Sequence, residues 1–159
     1  MTDFVLNEFL PYQLAVLSSR VSRAFSETYR KRFGISIPEW RVIAHLSQAG
    51  AVSVREIHAR VEMDKSKGSR AAARLEAAGY VSKKTHAGDR RLVELSLTDK
   101  GRAMIDQLTP MAHAFEAEVL TALGKDASVF RSALERLLRT SVMPERQATD
   151  PLAKNWRTP

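Results

Sequence analysis

The chain of 159 residues is long enough for one compact domain, or for two small lobes that share a core. Apolar residues make up 44% of it, which is enough to fill a core and argues against disorder over the whole chain. The net charge of +7 favours a polyanionic partner, either nucleic acid or an anionic membrane, although a soluble protein can also be basic without such a partner.

The chain contains no cysteine, so disulfides, thiol redox sensing and cysteine-ligated metal sites are excluded. The first residues lack a positive region followed by an apolar run, so we expect no secretory signal. No stretch has the ~18 apolar residues that cross a bilayer, and a cytoplasmic protein is expected. The four histidines lack the spacing of metal ligands, and no catalytic or phosphate-loop motif stands out. We therefore expect no metal, no cofactor and no enzyme activity.

Two helices are predicted at the start of the chain. Apolar side chains recur in steps of three and four over residues 10–33, which is typical of one stripe of an amphipathic helix. Gly34 is expected to end this helix. Ser36 and Glu39 then predict a capping box at the start of a second helix, which ends at Ala49 and Gly50.

Two shorter helices are predicted next. Ser53 and Glu56 predict a second capping box and a third helix that ends near Glu62. Asp64 predicts the cap of a fourth helix, with the sequence KSKGSRAAARLEAAG, and Gly79 is expected to end it.

The fourth helix has an apolar side and a basic side. Leu75, Ala71 or Ala72, and Ala78 are expected to face the core. Gly68 costs about 1 kcal/mol relative to alanine inside a helix. We therefore expect Gly68 near the start of the helix, or where its backbone closely approaches another part of the molecule.

A hairpin and two long helices complete the predicted elements. Residues 80–84 and 92–97 alternate as strands, and Gly88 with Asp89 supplies the turn between them. Thr98 caps a long fifth helix, which Pro110 is expected to bend or to deprive of a hydrogen bond. A sixth helix follows Gly124.

The first, fifth and sixth helices are amphipathic and flank the basic segment. Because three such helices in a single layer bury little apolar surface, a twofold dimer is the economical interpretation. We therefore predict a mainly α fold with a small β-hairpin wing (α+β), in which a winged helix-turn-helix is flanked by a helical dimerisation lobe. The predicted divisions are 1–34 and 99–143 for the dimerisation lobe, 35–98 for the DNA-binding lobe, and 144–159 for an irregular tail in which Trp156 is tied down.

Basic residues are concentrated between positions 64 and 91. This span of 28 residues carries eight basic and three acidic residues, and so +5 of the total charge of +7. Such a concentration favours nucleic acid as the partner. The basic residues are Lys65, Lys67, Arg70, Arg74, Lys83, Lys84, Arg90 and Arg91.

The fourth helix and the hairpin tip have the chemistry of DNA contacts. An α-helix fits the major groove, where Arg70 is expected to bind guanine and Arg74 to hold a phosphate. Arginine also enters narrow minor grooves, which suits Arg91, with Asp89 expected to orient its guanidinium. The alternatives are a solvated helix face and a surface hairpin with a local ion pair. The full set of predicted DNA contacts is Ser53, Arg55, Lys65, Ser66, Lys67, Ser69, Arg70, Arg74, Asp89, Arg90 and Arg91.

At these residues the chain resembles the MarR family of bacterial winged-helix transcriptional regulators. The segment MDKSKGSRAAARLEAAGYV resembles that family's recognition helix, and PEWRVIAHL is similar to its second helix. Gly68 departs from the β-branched residue that such helices often carry. The most specific match is a D-x-R run with a downstream L-T and G, at Asp89, Arg91, Leu97, Thr98 and Gly101.

The resemblance implies a homodimer on a near-palindromic operator, with the recognition helices about 34 Å apart in successive major grooves. It also implies a repressor that is released by a small aromatic acid or phenolic ligand bound between the two lobes. Ordinary packing is the alternative for each candidate ligand-binding residue, and an architectural protein that coats DNA without sequence preference is the alternative function. The candidate ligand-binding residues are Tyr12, Ser19, Arg20, Arg23, Trp40 and Ile43.

Overall fold

The computed structural model describes residues 3–140, and the described chain is mainly helical with one small antiparallel sheet. The predicted fold class is therefore confirmed, while the predicted tail with Trp156 lies outside the described residues. No helix within residues 3–140 has the length and apolar character that a membrane span requires. The elements are α1 (Leu10–Phe33), α2 (Ile37–Ala49), β1 (Val52–Ser53), α3 (Ile57–Arg60), α4 (Lys65–Ala77), β2 (Val81–Thr85), β3 (Val93–Leu97), α5 (Asp99–Leu123) and α6 (Ala127–Arg139), with short 3-10 helices at Leu6–Glu8 and Gly124–Asp126.

The ends of α1 and α2 follow the local signals in the sequence. Gly34 ends α1 in the left-handed conformation, with φ at 68°, and its N–H donates to the carbonyl oxygen of Arg30. The Ser36 hydroxyl oxygen accepts from the Glu39 N–H at 3.4 Å, and the Glu39 carboxylate accepts from the Ser36 N–H at 2.9 Å. The predicted capping box at α2 is thus confirmed.

The second predicted capping box is wrong. Ser53 lies in β1, and its hydroxyl oxygen accepts from the N–H of Arg55 at 3.3 Å. Its carbonyl oxygen accepts from the N–H of Glu56, which closes a turn, and α3 begins only at the next residue and spans four residues. The physical reason is that Val52 is buried against the core, and pairing with β3 satisfies the backbone of this segment in place of a helix.

The sheet has one more strand than the predicted hairpin. Its order is β1-β3-β2, and both strand pairs are antiparallel. Val52 is opposite Leu95, and Val81 is opposite Leu97. Leu95 and Leu97 are buried and Val93 is half-buried, so these three residues share the inward face of β3.

Helix α4 packs its alanine face into the core. Ala71, Ala72 and Leu75 are buried as predicted. Ala78 is exposed, contrary to prediction, because α4 ends at Ala77. Gly68 is buried against α3, where an added Cβ would lie 2.7 Å from the Cβ of His58. The expectation that the backbone at Gly68 closely approaches another element is therefore confirmed.

Helices α1, α2 and α5 meet around an aromatic cluster. Tyr29 stacks on Trp40 with ring centroids 5.4 Å apart, and Phe25 contacts both of these rings as well as Phe115. Burial raises the pKa of Tyr29 to about 12, so its hydroxyl stays protonated at neutral pH. This cluster joins the two long helices, α1 and α5, to α2.

Thr98 caps α5 as predicted, and α5 remains one helix through Pro110.

Two long apolar surfaces are exposed in the described chain. At the far end of α5, helix α6 presents its apolar stripe to solvent, and the segment before and within the first half of α1 does the same. The exposed large apolar residues in these two regions are Phe4, Val5, Leu6, Phe9, Leu10, Tyr12, Leu14, Leu17, Val129, Phe130, Leu134, Leu137 and Leu138.

Candidate nucleic-acid interface

The N-terminal half of α4 is fixed by its cap and exposes its polar side chains. The Asp64 carboxylate accepts the backbone N–H of Lys67 at 2.8 Å, and its second oxygen is 3.5 Å from the Lys67 ammonium. That backbone hydrogen bond is the main cause that lowers the pKa of Asp64, so the cap stays ionised at neutral pH. The exposed side chains that we call the α4 surface are Lys65, Ser66, Lys67, Ser69 and Arg70.

Most of the positive charge between positions 64 and 91 is not neutralised within the protein. Lys67, Arg74 and Lys83 form ion pairs, with Asp64, Glu39 and Glu76 respectively. Within residues 3–140, the other five basic side chains of this span form no ion pair. These five are Lys65, Arg70, Lys84, Arg90 and Arg91. An arrangement of this kind attracts phosphates, because these exposed cations break no ion pair within the described chain when they bind a polyanion.

A groove separates the start of α2 from α4. It has a volume of about 270 Å³. The Glu39 side chain forms part of its wall and is only 9% exposed, with Oε1 3.7 Å from Nη1 of Arg74. The groove therefore contains one acidic and three basic side chains. Its lining residues are Ser36, Pro38, Glu39, Lys67, Arg70, Ala71 and Arg74.

The wing tip, defined as residues 86–92, is closed by backbone hydrogen bonds. The N–H of His86 donates to the carbonyl of Leu92, and the N–H of Leu92 donates to the carbonyl of Asp89. Asp89 Oδ1 accepts from the backbone N–H of Arg91 at 2.9 Å. The prediction that Asp89 orients the Arg91 guanidinium is therefore wrong, because the carboxylate shapes the turn instead. Both arginines of the tip, Arg90 and Arg91, are exposed.

Ser53 and Arg55 lie beside the base of the wing. Ser53 is half-buried, and its hydroxyl oxygen already accepts a backbone N–H. Arg55 is exposed in the turn before α3. The neighbouring Val54 donates its N–H to the carbonyl of Val93 in β3, which fixes this turn to the sheet. The predicted DNA-binding residues thus lie on three features, this turn, the α4 surface and the wing tip, except Arg74, which lies further along α4 beside Glu39.

The structure separates the six candidate ligand-binding residues into three pairs. Tyr12 and Arg20 line a shallow groove of about 220 Å³ along the first half of α1. Ile43 is fully buried in the core, and Trp40 is half-buried against Tyr29. The remaining two candidates, Ser19 and Arg23, are exposed on α1.

The C-terminal end of α4 is held by a residue that the sequence patterns did not indicate. The Lys100 ammonium donates to the carbonyl oxygen of Ala78 at 2.7 Å and lies 4.5 Å from the centroid of the Tyr80 ring. The Thr98 hydroxyl donates to the carbonyl oxygen of Gly79 at 2.6 Å. A lysine near the end of a helix stabilises its last carbonyl groups, but here the lysine comes from a different helix. A contact of this kind has no local sequence signal.

The known protein sequences that this chain resembles belong to transcriptional regulators. Residues 33–92 match a family model described as the MarR family. The chain is 30% identical to the HTH-type transcriptional regulator TtmR of Methylorubrum extorquens (strain PA1) over 107 residues, which are 65% of this chain and 55% of TtmR. It is 28% identical to the HTH-type transcriptional repressor MdtR of Bacillus subtilis (strain 168) over 113 residues, which are 71% of this chain and 72% of MdtR.

Solved structures of the same kind share the fold. A MarR family transcriptional regulator from Silicibacter pomeroyi DSS-3 is 31% identical with a TM-score of 0.67, and the match covers 85% of this chain and 99% of that one. Bordetella bronchiseptica BpsR, whose DNA binding is regulated by 6-hydroxynicotinic acid, is 21% identical with a TM-score of 0.74, and the match covers 89% and 99% of the two chains. The second likeness concerns the fold alone.

Proposed function

Because the chain belongs to the MarR family of winged-helix transcriptional regulators, we propose that it is a repressor that binds a near-palindromic operator as a homodimer. The observation that carries the proposal is the exposed, largely unpaired positive charge on the α4 surface and at the wing tip. These two features lie at the two places where a winged helix meets DNA, the recognition helix and the wing. The proposed DNA contacts are the residues predicted from the sequence.

Within this proposal, Arg70 reads a base and its neighbours hold phosphates. Arg70 is exposed on the N-terminal half of α4 and has no ion pair among residues 3–140, so both of its terminal nitrogens are available for a guanine edge. Lys65 lies one turn earlier and is suited to a phosphate. Arg91, at the wing tip, is suited to the adjacent minor groove, since its guanidinium is exposed and Asp89 is bonded to the backbone instead.

The proposed dimer covers the two apolar surfaces that the described chain leaves exposed. Thirteen large apolar side chains are exposed on α6 and in and before the first half of α1, and clusters of this kind mark interaction surfaces. A twofold arrangement of α1, α5 and α6 would bury them and would set the distance between two α4 helices. Sedimentation at micromolar concentration should show a dimer, and a monomer would contradict this part of the proposal.

The proposed effector is a small aromatic acid or phenol. Support comes from the family resemblance and from Tyr12 and Arg20, which bring an aromatic ring and a cation to one groove on α1. Thermal-shift screening with aromatic acids, including 6-hydroxynicotinic acid, followed by a gel-shift assay, tests this part. A compound that raises the melting temperature and releases DNA supports it, whereas compounds that change neither contradict it.

The decisive experiment for DNA recognition is selection of duplexes from a random pool, followed by competition at physiological salt. We expect the protein to enrich a near-palindromic sequence and to prefer it over scrambled DNA. Binding that ignores sequence would overturn the proposal in favour of an architectural protein that coats DNA.

Variants of Arg70 then test its role in reading a base. Arg70→Ala should weaken operator binding by about 1–3 kcal/mol and relax the preference at one base pair of each half-site. Arg70→Lys is the matched control, because it retains the charge and loses the bidentate geometry. We expect Arg70→Lys to keep the salt dependence and to lose the base preference. Unchanged affinity and preference in both variants would contradict the role of Arg70.

A further inference from the structure

Glu39 connects α2 to α4, the helix that carries most of the proposed DNA contacts. It lies in the first turn of α2, and its side chain is 9% exposed. One carboxylate oxygen, Oε2, accepts the N–H of Ser36 at 2.9 Å and completes the cap of α2. The other, Oε1, lies 3.7 Å from Nη1 of Arg74 on α4. A single buried carboxylate therefore has one oxygen on each helix.

The two ends of this contact differ in exposure. Glu39 is buried and held by the α2 cap, whereas the Arg74 side chain is 72% exposed. A long exposed arginine is normally free to adopt many rotamers, and ordering it on a ligand costs conformational entropy. Here Nη1 of the guanidinium lies 3.7 Å from a fixed carboxylate, and Arg74 lines the same groove as Lys67 and Arg70. An ion pair of this kind favours those Arg74 rotamers that keep the guanidinium at the groove, so less rotamer freedom is left to lose on binding.

We propose that Glu39 is a positioning residue for DNA binding, which holds the Arg74 guanidinium in the orientation in which it meets a DNA phosphate. The inference rests on the proposed function and adds a residue that makes no DNA contact itself. Glu39 acts through Arg74, so its contribution depends on the presence of that arginine.

The inference makes a prediction that is opposite in sign to simple electrostatics. Glu39 is a negative charge beside three cations, and removing it raises the attraction of this surface for DNA. If Glu39 were only a capping residue, its neutral analogue would therefore bind DNA equally or more tightly. If Glu39 orients Arg74, the neutral analogue binds the operator less tightly, although the net charge has become more positive.

The test uses Glu39→Gln, Arg74→Ala and the double variant, titrated against the duplex that the unaltered protein selects. Glutamine retains an oxygen that accepts the Ser36 N–H, so the cap of α2 is preserved, and thermal denaturation checks the fold. We expect Glu39→Gln to weaken operator binding by about 2- to 5-fold, the upper part of the range for exposed ion pairs. In the Arg74→Ala background the same change should no longer weaken binding, and Arg74→Ala should reduce the slope of affinity against salt by about one.

Glu76→Gln, on α4 itself, is the matched control. It also removes one carboxylate, which pairs with Lys83 at 2.8 Å, and it leaves Arg74 and Glu39 in place. We expect Glu76→Gln to leave operator affinity unchanged or to raise it. If Glu39→Gln does not fold, Arg74→Lys keeps the α2 cap and the positive charge but loses the guanidinium geometry. It should weaken operator binding with an unchanged salt dependence, and unchanged affinity would overturn the inference.

Several outcomes overturn the inference. If Glu39→Gln binds the operator as tightly as the unaltered protein, the inference is overturned. It is also overturned if Glu39→Gln has the same effect with and without Arg74. If the unaltered protein selects no sequence, the proposed function fails and the inference fails with it. If it selects a sequence and Glu39→Gln behaves like Glu76→Gln, the inference alone is overturned.

Discussion

The contact between α3 and α4 at Gly68 leads to a prediction with an unusual sign. Glycine to alanine changes inside helices normally stabilise a protein by about 1 kcal/mol, because alanine loses less backbone entropy on folding. At Gly68 the added Cβ would lie 2.7 Å from the Cβ of His58 and 3.1 Å from its Cα. One of these atoms belongs to the backbone of α3, so that a side-chain rotation cannot relieve the contact.

The magnitude follows from the separation that alanine requires. Non-bonded carbon atoms are most stable about 3.5–4.0 Å apart, so α3 and α4 would have to separate by roughly 1 Å. Overpacking of this kind costs about 1–3 kcal/mol. After subtraction of the gain of about 1 kcal/mol in helix propensity, Gly68→Ala should lower the free energy of unfolding by roughly 1 kcal/mol. For a chain of this length, that corresponds to a decrease in Tm of about 2–4 °C.

Urea denaturation and a DNA titration together test this reasoning. Ala73→Gly is the matched control, because Ala73 is exposed on the same helix and contributes through propensity. We expect Ala73→Gly to cost about 1 kcal/mol without a change in the α3–α4 distance. Gly68→Ala should in addition weaken operator binding, since α4 is displaced from α3. A Gly68→Ala variant that is more stable by ~1 kcal/mol, as propensity alone requires, would refute the close approach.

Three further predictions concern single side chains outside α4. Lys100→Met should lower the free energy of unfolding by about 1 kcal/mol in urea denaturation, since it removes the hydrogen bond to Ala78 and the contact with the Tyr80 ring, whereas Lys100→Arg should retain most of it. Burial, and then the charge of Arg60, lower the pKa of His45 below its ordinary value of 6.5. The associated stability should be complete above pH 6.5 and lost as the pH falls through the pKa of the folded state, and His45→Gln should remove this pH dependence. Arg91→Ala should weaken binding most on operators with A·T-rich flanks, and an equal loss on all flanks would contradict minor-groove insertion.

The sequence predicted those features of the fold that depend on residues a few positions apart. The capping box of Ser36 and Glu39, the left-handed Gly34 and the cap at Asp64 are local, and each was confirmed. Strand β1 was missed because it has two residues and exists through pairing with β3, more than 40 residues later. A serine such as Ser53 can occupy a strand as well as a helix cap, so the residue type alone could not distinguish the two positions.

The candidate interface follows the same division. The concentration of basic residues on α4 and at the wing tip is a property of composition and spacing, and it could be read directly. The partners of those residues could not, since Glu39 and Arg74 are 35 positions apart in the sequence. Asp89 illustrates a third case, in which the D-x-R spacing was correct but the carboxylate accepts the backbone N–H of Arg91 rather than its side chain.

Helix α4 is held by a different element at each part of its length, and this arrangement determines how a movement elsewhere would reach it. Near its start, Gly68 lies against α3, and further along Arg74 is tied to α2 through Glu39. Its end is bonded to the first turn of α5 through Lys100 and Thr98. Helix α5 extends from these contacts of Lys100 and Thr98 toward the exposed apolar surface of α6. We therefore expect a displacement of α5 to reach α4 first at its C-terminal end, where Lys100 and Thr98 bond to Ala78 and Gly79.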